Sequence, residues 1–276
     1  MITHATAQPS ASVTLLSDDS LVSVPLNRPV HLTIILPPTY QATGPRLPVL
    51  YLHDGQDIPR LNLVHILDSL YNTQAVKPFV VVAMHANVDR IQEYGTAARP
   101  DYMNRGSRAY AHTDFVLTEL LPYIQQHYRV TTDPAQSVIA GFSLGGLSAF
   151  DIGFHHSDRF SRVGVFSGSF WWRKKKFSQA YDDDTDRIMH GLIRSSTTKP
   201  AVRFWLQTGT HDETSDRNNN GVIDSIDDTL DIIAELTKKG YSQPADIRYV
   251  EVPGGEHNQR TWAAILPDFL TWAFGK

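Results

Sequence analysis

Hydrophobic residues along this chain fall into short runs separated by polar turns, and two spacings alternate. Ser12–Leu16 and His31–Leu36 are β-rich segments bounded by Pro and Asp/Ser clusters, which predicts antiparallel strands near the start. Pro48–Leu52, Phe79–Met84, Ser137–Ala140, Val163–Phe166 and Phe204–Leu206 are uninterrupted apolar runs, the pattern of parallel strands covered on both faces. Ile247–Val252 alternates more and is predicted nearer an edge.

Helical spacing fills the intervals. Leu117, Leu120, Leu121 and Ile124 stand at i, i+3, i+4 and i+7, one face of a helix. Leu147 to Phe154 reads as a second apolar helix, and the chain ends in a third. Leu230, Ile233 and Ala234 keep the spacing in a further helix until Thr237 interrupts it; Lys238 and Lys239 suit its C-terminus, with Gly240 at the terminating position. Strands alternating with helices predict an α/β fold, a mostly parallel central sheet with antiparallel N-terminal strands. No linker or composition shift divides the chain, so residues 1–276 read as a single domain.

Composition narrows the chemistry. The 276 residues carry 25 basic against 29 acidic side chains, a net charge of −4, with 41% hydrophobic residues and no cysteine. So mild a balance lacks the basic footprint of a nucleic-acid binder. The apolar content is too high for a disordered chain, and no apolar run reaches the roughly 18 residues of a membrane span. The absence of cysteine excludes disulfides, thiolate metal sites and a Cys nucleophile. The first residues, from Met1 to Pro9, lack a basic segment followed by an apolar one, so no signal peptide is visible, although a trimmed leader would look the same.

The sharpest local signal is Gly141-Phe142-Ser143-Leu144-Gly145, a G-x-S-x-G turn between an apolar strand and an apolar helix. Such a turn projects the Ser143 hydroxyl from the top of a sheet, the flanking glycines leave room for the backbone to double back, and the Leu144 N–H faces a developing oxyanion. A serine needs a base. Of 12 histidines, His257 follows the last strand and precedes the final helix, where the order nucleophile, acid, base places it; His53 comes too early, and His155, His156 and His190 read as helix-end residues. Asp212 is the first carboxylate after the Phe204 strand and the expected acid, with Glu213 as the fallback. A second oxyanion N–H is expected from the loop His53-Asp54-Gly55-Gln56-Asp57, at Gln56, with Gly55 allowing close approach.

Together with Leu121-Pro122-Tyr123-Ile124 and Phe166-Ser167-Gly168-Ser169-Phe170-Trp171-Trp172, these motifs resemble the esterase family of the α/β-hydrolase superfamily that contains esterase D, feruloyl esterases and enterochelin esterases. The resemblance runs from about residue 30 to the C-terminus, and the Trp-Trp segment is most similar to the enterochelin-esterase branch. It implies an α/β-hydrolase fold with helices on both sheet faces, the triad roles for Ser143, Asp212 and His257, the oxyanion roles for Gln56 and Leu144, and an acyl-enzyme intermediate in ester hydrolysis. The chain departs from the pattern at His53-Asp54-Gly55, where many hydrolases have His-Gly-Gly, and in an insert after Asp212.

That insert, 216–227, matches a 12-residue calcium loop: Asp216, Asn218 and Asn220 at positions 1, 3 and 5, Gly221 at 6, the Val222 carbonyl at 7, apolar Ile223 at 8, Asp224 at 9 and Asp227 at 12. Oxygen donors on alternate residues wrap a hard cation. From Asp212 to Asp228 there are six acids and one Arg, which would repel without a cation. A structural calcium ion stiffening the Asp212 loop is therefore expected, with no cofactor for catalysis, and Asp227 or Asp228 at the start of a helix. Aspartate rather than glutamate at position 12 points to a weak site, which favours a periplasmic or secreted location.

Substrate contacts are expected from Trp171 and Trp172, after the Val163 strand, against the alternative that they are packing residues. Arg173-Lys174-Lys175-Lys176 reads as a solvated face or an attractor of anions, and Asp182 to Asp186 as surface. Tyr102, Arg105 and Arg108 lie in a polar loop where members of the family contact substrate. The expectation is a serine carboxylesterase acting on a small-molecule ester, with a siderophore trilactone esterase or an acyltransferase as alternatives; oligomeric state is left open.

Overall fold

Strands buried on both faces need partners on each edge and helices on each side, and the chain supplies both in one sheet. The computed structural model describes residues 12–276, so the segment read above for a leader lies outside the described residues. Eight strands, β1 (Thr14–Ser23), β2 (Arg28–Leu36), β3 (Val49–Leu52), β4 (Val80–Met84), β5 (Ser137–Phe142), β6 (Arg162–Phe166), β7 (Arg203–His211) and β8 (Ile247–Glu256), form a sheet in the order β1-β2-β4-β3-β5-β6-β7-β8. β1 and β2 run antiparallel to their neighbours, and β3 to β8 are parallel. The alternating strand, β8, is one edge of the sheet, and β1 is the other.

The two-residue period of each strand sorts its side chains between two core layers. Val80, Val82, Ile139 and Val163 pack on one face with Phe150 and Phe154 of α5 (Leu144–His155). That face also carries α3 (Ala109–Asp114), α4 (Leu121–His127), α7 (Ile188–Ser195) and α8 (Asp224–Lys238), with the short helices α2 (Arg90–Glu93) and α6 (Asp183–Asp186) in the connections that lead to α3 and α7. Val81, Ala83, Val138 and Ala140 meet α1 (Leu63–Asn72) and α9 (Gln259–Phe274) on the other. α5 is buried from Leu144 to Phe154, as an apolar helix without a polar stripe must be. No helix among the described residues is long and apolar enough to cross a membrane.

Three local expectations are corrected. β1 continues seven residues past Leu16, because pairing with β2 carries it through Ser17 to Ser20, a polar stretch that reads as a turn; a bulge between Leu16 and Asp19 absorbs the misfit. The helix from Leu121 is preceded by a π-helical segment, Phe115–Leu120, so the predicted stripe spans two helical geometries while Leu120, Leu121 and Ile124 remain buried. α8 begins at Asp224 and turns Ile226, Ile232, Ile233 and Leu236 inward, leaving Leu230 and Ala234 exposed. Of the expected stripe Leu230, Ile233 and Ala234, only Ile233 lies on the buried face, whereas Gly240 does end the helix, at φ +91°.

The C-terminal helix closes the second layer through Phe274, whose ring stacks on Phe79 at 3.9 Å between centroids. Phe274→Ala is expected to lower the unfolding free energy by about 3–5 kcal/mol, the usual cost of emptying such a site. Urea titration, read as a shifted midpoint at constant slope, checks this.

Candidate active site

The chain passes from β5 into α5 through one residue. Ser143 stands between Phe142 and Leu144 with φ 54° and ψ −120°, a conformation that costs a non-glycine residue about 1–3 kcal/mol. Hydrogen bonds hold it there: its N–H donates to the Phe166 carbonyl (2.8 Å), and its carbonyl accepts from the N–H groups of Leu147 and Ser169 (both 3.1 Å). The flanking glycines are sterically required. A Cβ on Gly141 would lie 2.3 Å from the Gly145 carbonyl oxygen, and one on Gly145 would lie 2.6 Å from Asp54 Oδ2. The hydroxyl is partly exposed and 3.5 Å from that of Ser169, at the outer limit of hydrogen bonding.

Asp212 follows β7 and His257 follows β8, both at the carboxyl end of the parallel strands where Ser143 lies. Ser167 and Trp262 link them. Trp262 Nε1 donates to Ser167 Oγ (2.9 Å), and the His257 ring stands edge-on to Trp262 with centroids 5.3 Å apart. Among the described residues, neither buried oxygen of the Asp212 carboxylate has a hydrogen-bond partner. Burial pushes this carboxyl above its ordinary value, opposed by the Gly209 backbone, the Ser167 hydroxyl and the His257 ring. His257 is exposed as a residue, yet protein crowding its imidazole lowers the pKa. The Asp212 carboxylate works against that shift and the Arg90 guanidinium adds to it. The hydrogen bonds of a serine–histidine–aspartate relay are not closed in this structure; such contacts commonly tighten when substrate binds.

The loop after β3 approaches the same point. Asp54 adopts φ 61°, and Gly55–Asp57 form a 3₁₀ turn closed by Asp57 and Ile58 N–H groups on the carbonyls of Asp54 and Gly55 (2.9 and 3.3 Å). A Cβ on Gly55 would stand 2.8 Å from the Ala83 carbonyl oxygen. The Gln56 side chain is tied at both ends, donating to Asp54 Oδ1 (3.1 Å) and accepting from Ala86 N–H (3.0 Å). Leu144 is the first residue of α5, where N–H groups lack helical partners.

One element of this loop was missed in the sequence. Arg90 grips buried Asp54 with two hydrogen bonds, Nε to Oδ1 (2.6 Å) and one terminal nitrogen to Oδ2 (2.7 Å), while stacking over Tyr94. Nothing local distinguishes Arg90, the first residue of α2, from the other arginines; only the departure from His-Gly-Gly, which puts a carboxylate beside the elbow, hints that a cation must come from elsewhere. His53 is fully buried. Its Nδ1 donates to the Ala140 carbonyl (3.1 Å), its Nε2 contacts His112 Nε2 (3.0 Å), and burial lowers its pKa to about 4. His190, read as a helix-end residue, is likewise buried and bonded to the Asp228 carbonyl at 3.0 Å.

Beside this region lies a cavity of about 290 Å³ walled by Tyr102, Arg105, Trp171, Arg173, Phe177 and Glu213. The paired tryptophans therefore divide. Trp171 lines the cavity, whereas Trp172 is 0% exposed and packs against Gly95 and Gly106, so its expected substrate contact is corrected to core packing. Tyr102 and Arg105 reach the cavity, but Arg108 turns away to the Leu26 carbonyl. The basic run splits too: Lys174 and Lys175 lie 3.9 and 3.2 Å from Asp186, which is buried rather than on the surface. Glu213 lines the cavity beside Asp212, its carboxyl pushed up by burial and by the charges of Asp224 and Asp228.

The Asp216–Asp227 loop is curled by its own side chains. Asp216 accepts from the N–H groups of Asn220 (3.1 Å) and Gly221 (2.9 Å), and Asp227 Oδ2 accepts from the amides of Asn218 and Asn220 (3.0 and 2.8 Å). Asp224 instead accepts from the Arg217 N–H (2.9 Å) and pairs with its guanidinium (3.3 Å). Among the described residues no three His, Cys, Asp or Glu side chains gather as a metal cluster. The repulsion argument is corrected as well. Arg187, from the neighbouring crossover, bonds Asp228 and Asp231 at 2.6 Å each, and Arg217 bonds Asp183 and Asp228, so arginines neutralise much of this acidic stretch.

The family model described as "Putative esterase" matches residues 23–273. The uncharacterised protein YbbA of Bacillus subtilis is 21% identical over 248 residues, covering 88% of this chain and 92% of its own. The iron(III) enterobactin esterase of Escherichia coli K12 is 33% identical over 141 residues; the match covers 49% of this chain and 31% of that protein. Among solved structures, a ferulic acid esterase superposes with a TM-score of 0.72 at 21% identity, covering 96% of this chain and 98% of its own. The Shigella flexneri enterobactin esterase gives 0.72 at 21% identity, over 96% of this chain and 59% of that one. At these identities the superpositions establish the α/β-hydrolase type of fold.

The surroundings of His257 set the sign of its titration. By NMR, its imidazole should titrate below the ordinary histidine value in the intact protein. Arg90→Gln, which removes a nearby positive charge, should raise that pKa, and Asp212→Asn should lower it further.

Proposed function

This chain belongs to that esterase family, a family of carboxylic ester hydrolases, and from that premise we propose that Ser143, His257 and Asp212 hydrolyse a small-molecule ester through an acyl-enzyme. The observation that carries the reading is Ser143 at φ 54° on the single-residue turn between β5 and α5, with Asp212 and His257 on the loops after β7 and β8. His257 takes the hydroxyl proton as Oγ attacks the ester carbonyl. The Leu144 and Gln56 N–H groups receive the negative charge of the tetrahedral intermediate. The proton passes to the departing alcohol as the ester C–O bond breaks. Water, deprotonated by the same imidazole, then releases the acid. Asp212 would stabilise the imidazolium formed in each step, a role supported by its buried carboxylate oxygens being without hydrogen-bond partners among the described residues.

The exposure of His257 gives water free access in the second step, and acyl transfer to an alcohol would use the same atoms. The aromatic cavity beside the site favours esters bearing a ring, and supports a trilactone of the siderophore type as one substrate to assay, with feruloyl and acetyl esters beside it. We propose further that residues 216–227 hold structural calcium. The support is the spacing of oxygen donors at Asp216, Asn218, Asn220, Val222, Asp224 and Asp227, and the reversal at Gly221 with φ +84°.

Ser143→Ala should lower hydrolysis of p-nitrophenyl esters by more than about 10³-fold with unchanged melting; persistence of the activity overturns the assignment. Chelation should lower the melting temperature of the wild-type protein, and added calcium should restore it. Unchanged melting, with no metal by elemental analysis, counts against the calcium loop.

A further inference from the structure

The cavity beside the proposed site contains three arginines, and they differ in one respect. Arg105 is held by Asp101, with Nε to Oδ2 at 2.7 Å, and Arg217 by Asp183, Asp224 and Asp228. Arg173 forms no ion pair among the described residues, and its Nε is buried without a hydrogen-bond partner. Its guanidinium lies 3.9 Å from the Phe177 ring centroid and 5.0 Å from that of Tyr102, so aromatic faces rather than carboxylates position it. The backbone beneath it is fixed on both sides. The Arg173 carbonyl accepts from Tyr102 N–H (3.0 Å), Lys174 N–H donates to the Asp186 carbonyl (2.9 Å), and Arg173 bridges Arg187 across the chain.

A guanidinium that is stacked, immobilised and short of acceptors is a receptor for a planar oxyanion, because its fork of N–H donors matches a carboxylate in two parallel bonds. The position connects it to the ester chemistry. Trp171, in the cavity wall, is two residues from Ser169, whose hydroxyl is 3.5 Å from that of Ser143, and Glu213, also in the wall, adjoins Asp212. Of the two carboxylates in the wall, Asp224 is paired with Arg217, whereas Glu213 has no arginine or lysine partner among the described residues, so the cavity sets one unpaired cation against one unpaired carboxylate that repels a second negative charge.

We propose that Arg173 anchors a single carboxylate at the end of the substrate remote from the scissile ester, making the enzyme selective for mono-anionic over neutral esters and, through Glu213, over dianionic ones. This rests on the esterase reading but assigns a site outside the triad and the oxyanion loop.

The test compares p-nitrophenyl esters of one chain length ending in a methyl group, a carboxylate or two carboxylates. The wild-type protein should show the highest kcat/KM for the monocarboxylate. Arg173→Gln should cut the monocarboxylate-to-methyl ratio by about 10- to 100-fold, mainly through KM, and Arg173→Lys should restore part of it. Glu213→Gln should raise the dicarboxylate rate relative to the monocarboxylate. Calorimetric titration of Ser143→Ala with benzoate should show binding that Arg173→Gln in the same background removes at unchanged melting temperature. Equal rates for methyl and carboxylate esters in the wild-type protein, or a ratio unmoved by Arg173→Gln, overturn the anchor. Absence of turnover of every ester would instead overturn the esterase reading.

Discussion

Everything at the carboxyl end of the sheet depends on one uncomfortable backbone conformation. Ser143 can hold a positive φ only because three main-chain hydrogen bonds and two glycines leave it no alternative. The glycines do more than relieve crowding at the turn. Gly145 lets Asp54 come within a side chain's width of the elbow, and Asp54 in turn is tolerated in its buried place because Arg90 neutralises it. The serine turn, the loop after β3 and Arg90 thus form one steric and electrostatic unit assembled from three separate stretches of chain.

The sheet was largely legible in the sequence because burial on both faces leaves a plain signature. All eight strands appear as apolar or alternating runs, and their limits shift most where burial is least, at β1. The elbow was legible because strand, turn chemistry and helix agree within fifteen residues. What could not be read was anything set by long-range partnership. The inward face of α8 is decided by arginines as well as by its isoleucines, since Asp228 is buried against Arg187 and Arg217 and Glu235 against Arg194. Likewise, the two adjacent tryptophans carry the same local information, yet one is clamped by glycines 95 and 106 and the other is open to the cavity. The acidic stretch after Asp212 looked uncompensated only because one of its counter-charges, Arg187, comes from a different crossover.

The histidines show the same division between type and place. Twelve imidazoles are chemically alike, but His53 and His190 are dehydrated in the interior and held neutral, while His257 stands at the surface within the influence of a buried carboxylate. Chain order places His257 directly after the last strand; its electrostatic setting is a property of the fold, supplied by Asp212 after β7 and by Arg90 from the far side of the elbow.

The arginine stitches between the two crossovers bear on how this surface can change over generations. Arg187 precedes α7 and Arg217 precedes α8, yet both converge on Asp228, which is almost entirely buried. Exchanging the crossover that carries α8 would remove Asp228 and Asp231 together and leave the buried Arg187 guanidinium without these partners, so that crossover cannot be grafted without the one before it. The part of the cavity wall that these two crossovers supply is in that sense a cassette, resistant to being altered in halves, and it closes against Tyr102 and Arg105 from the connection between β4 and β5.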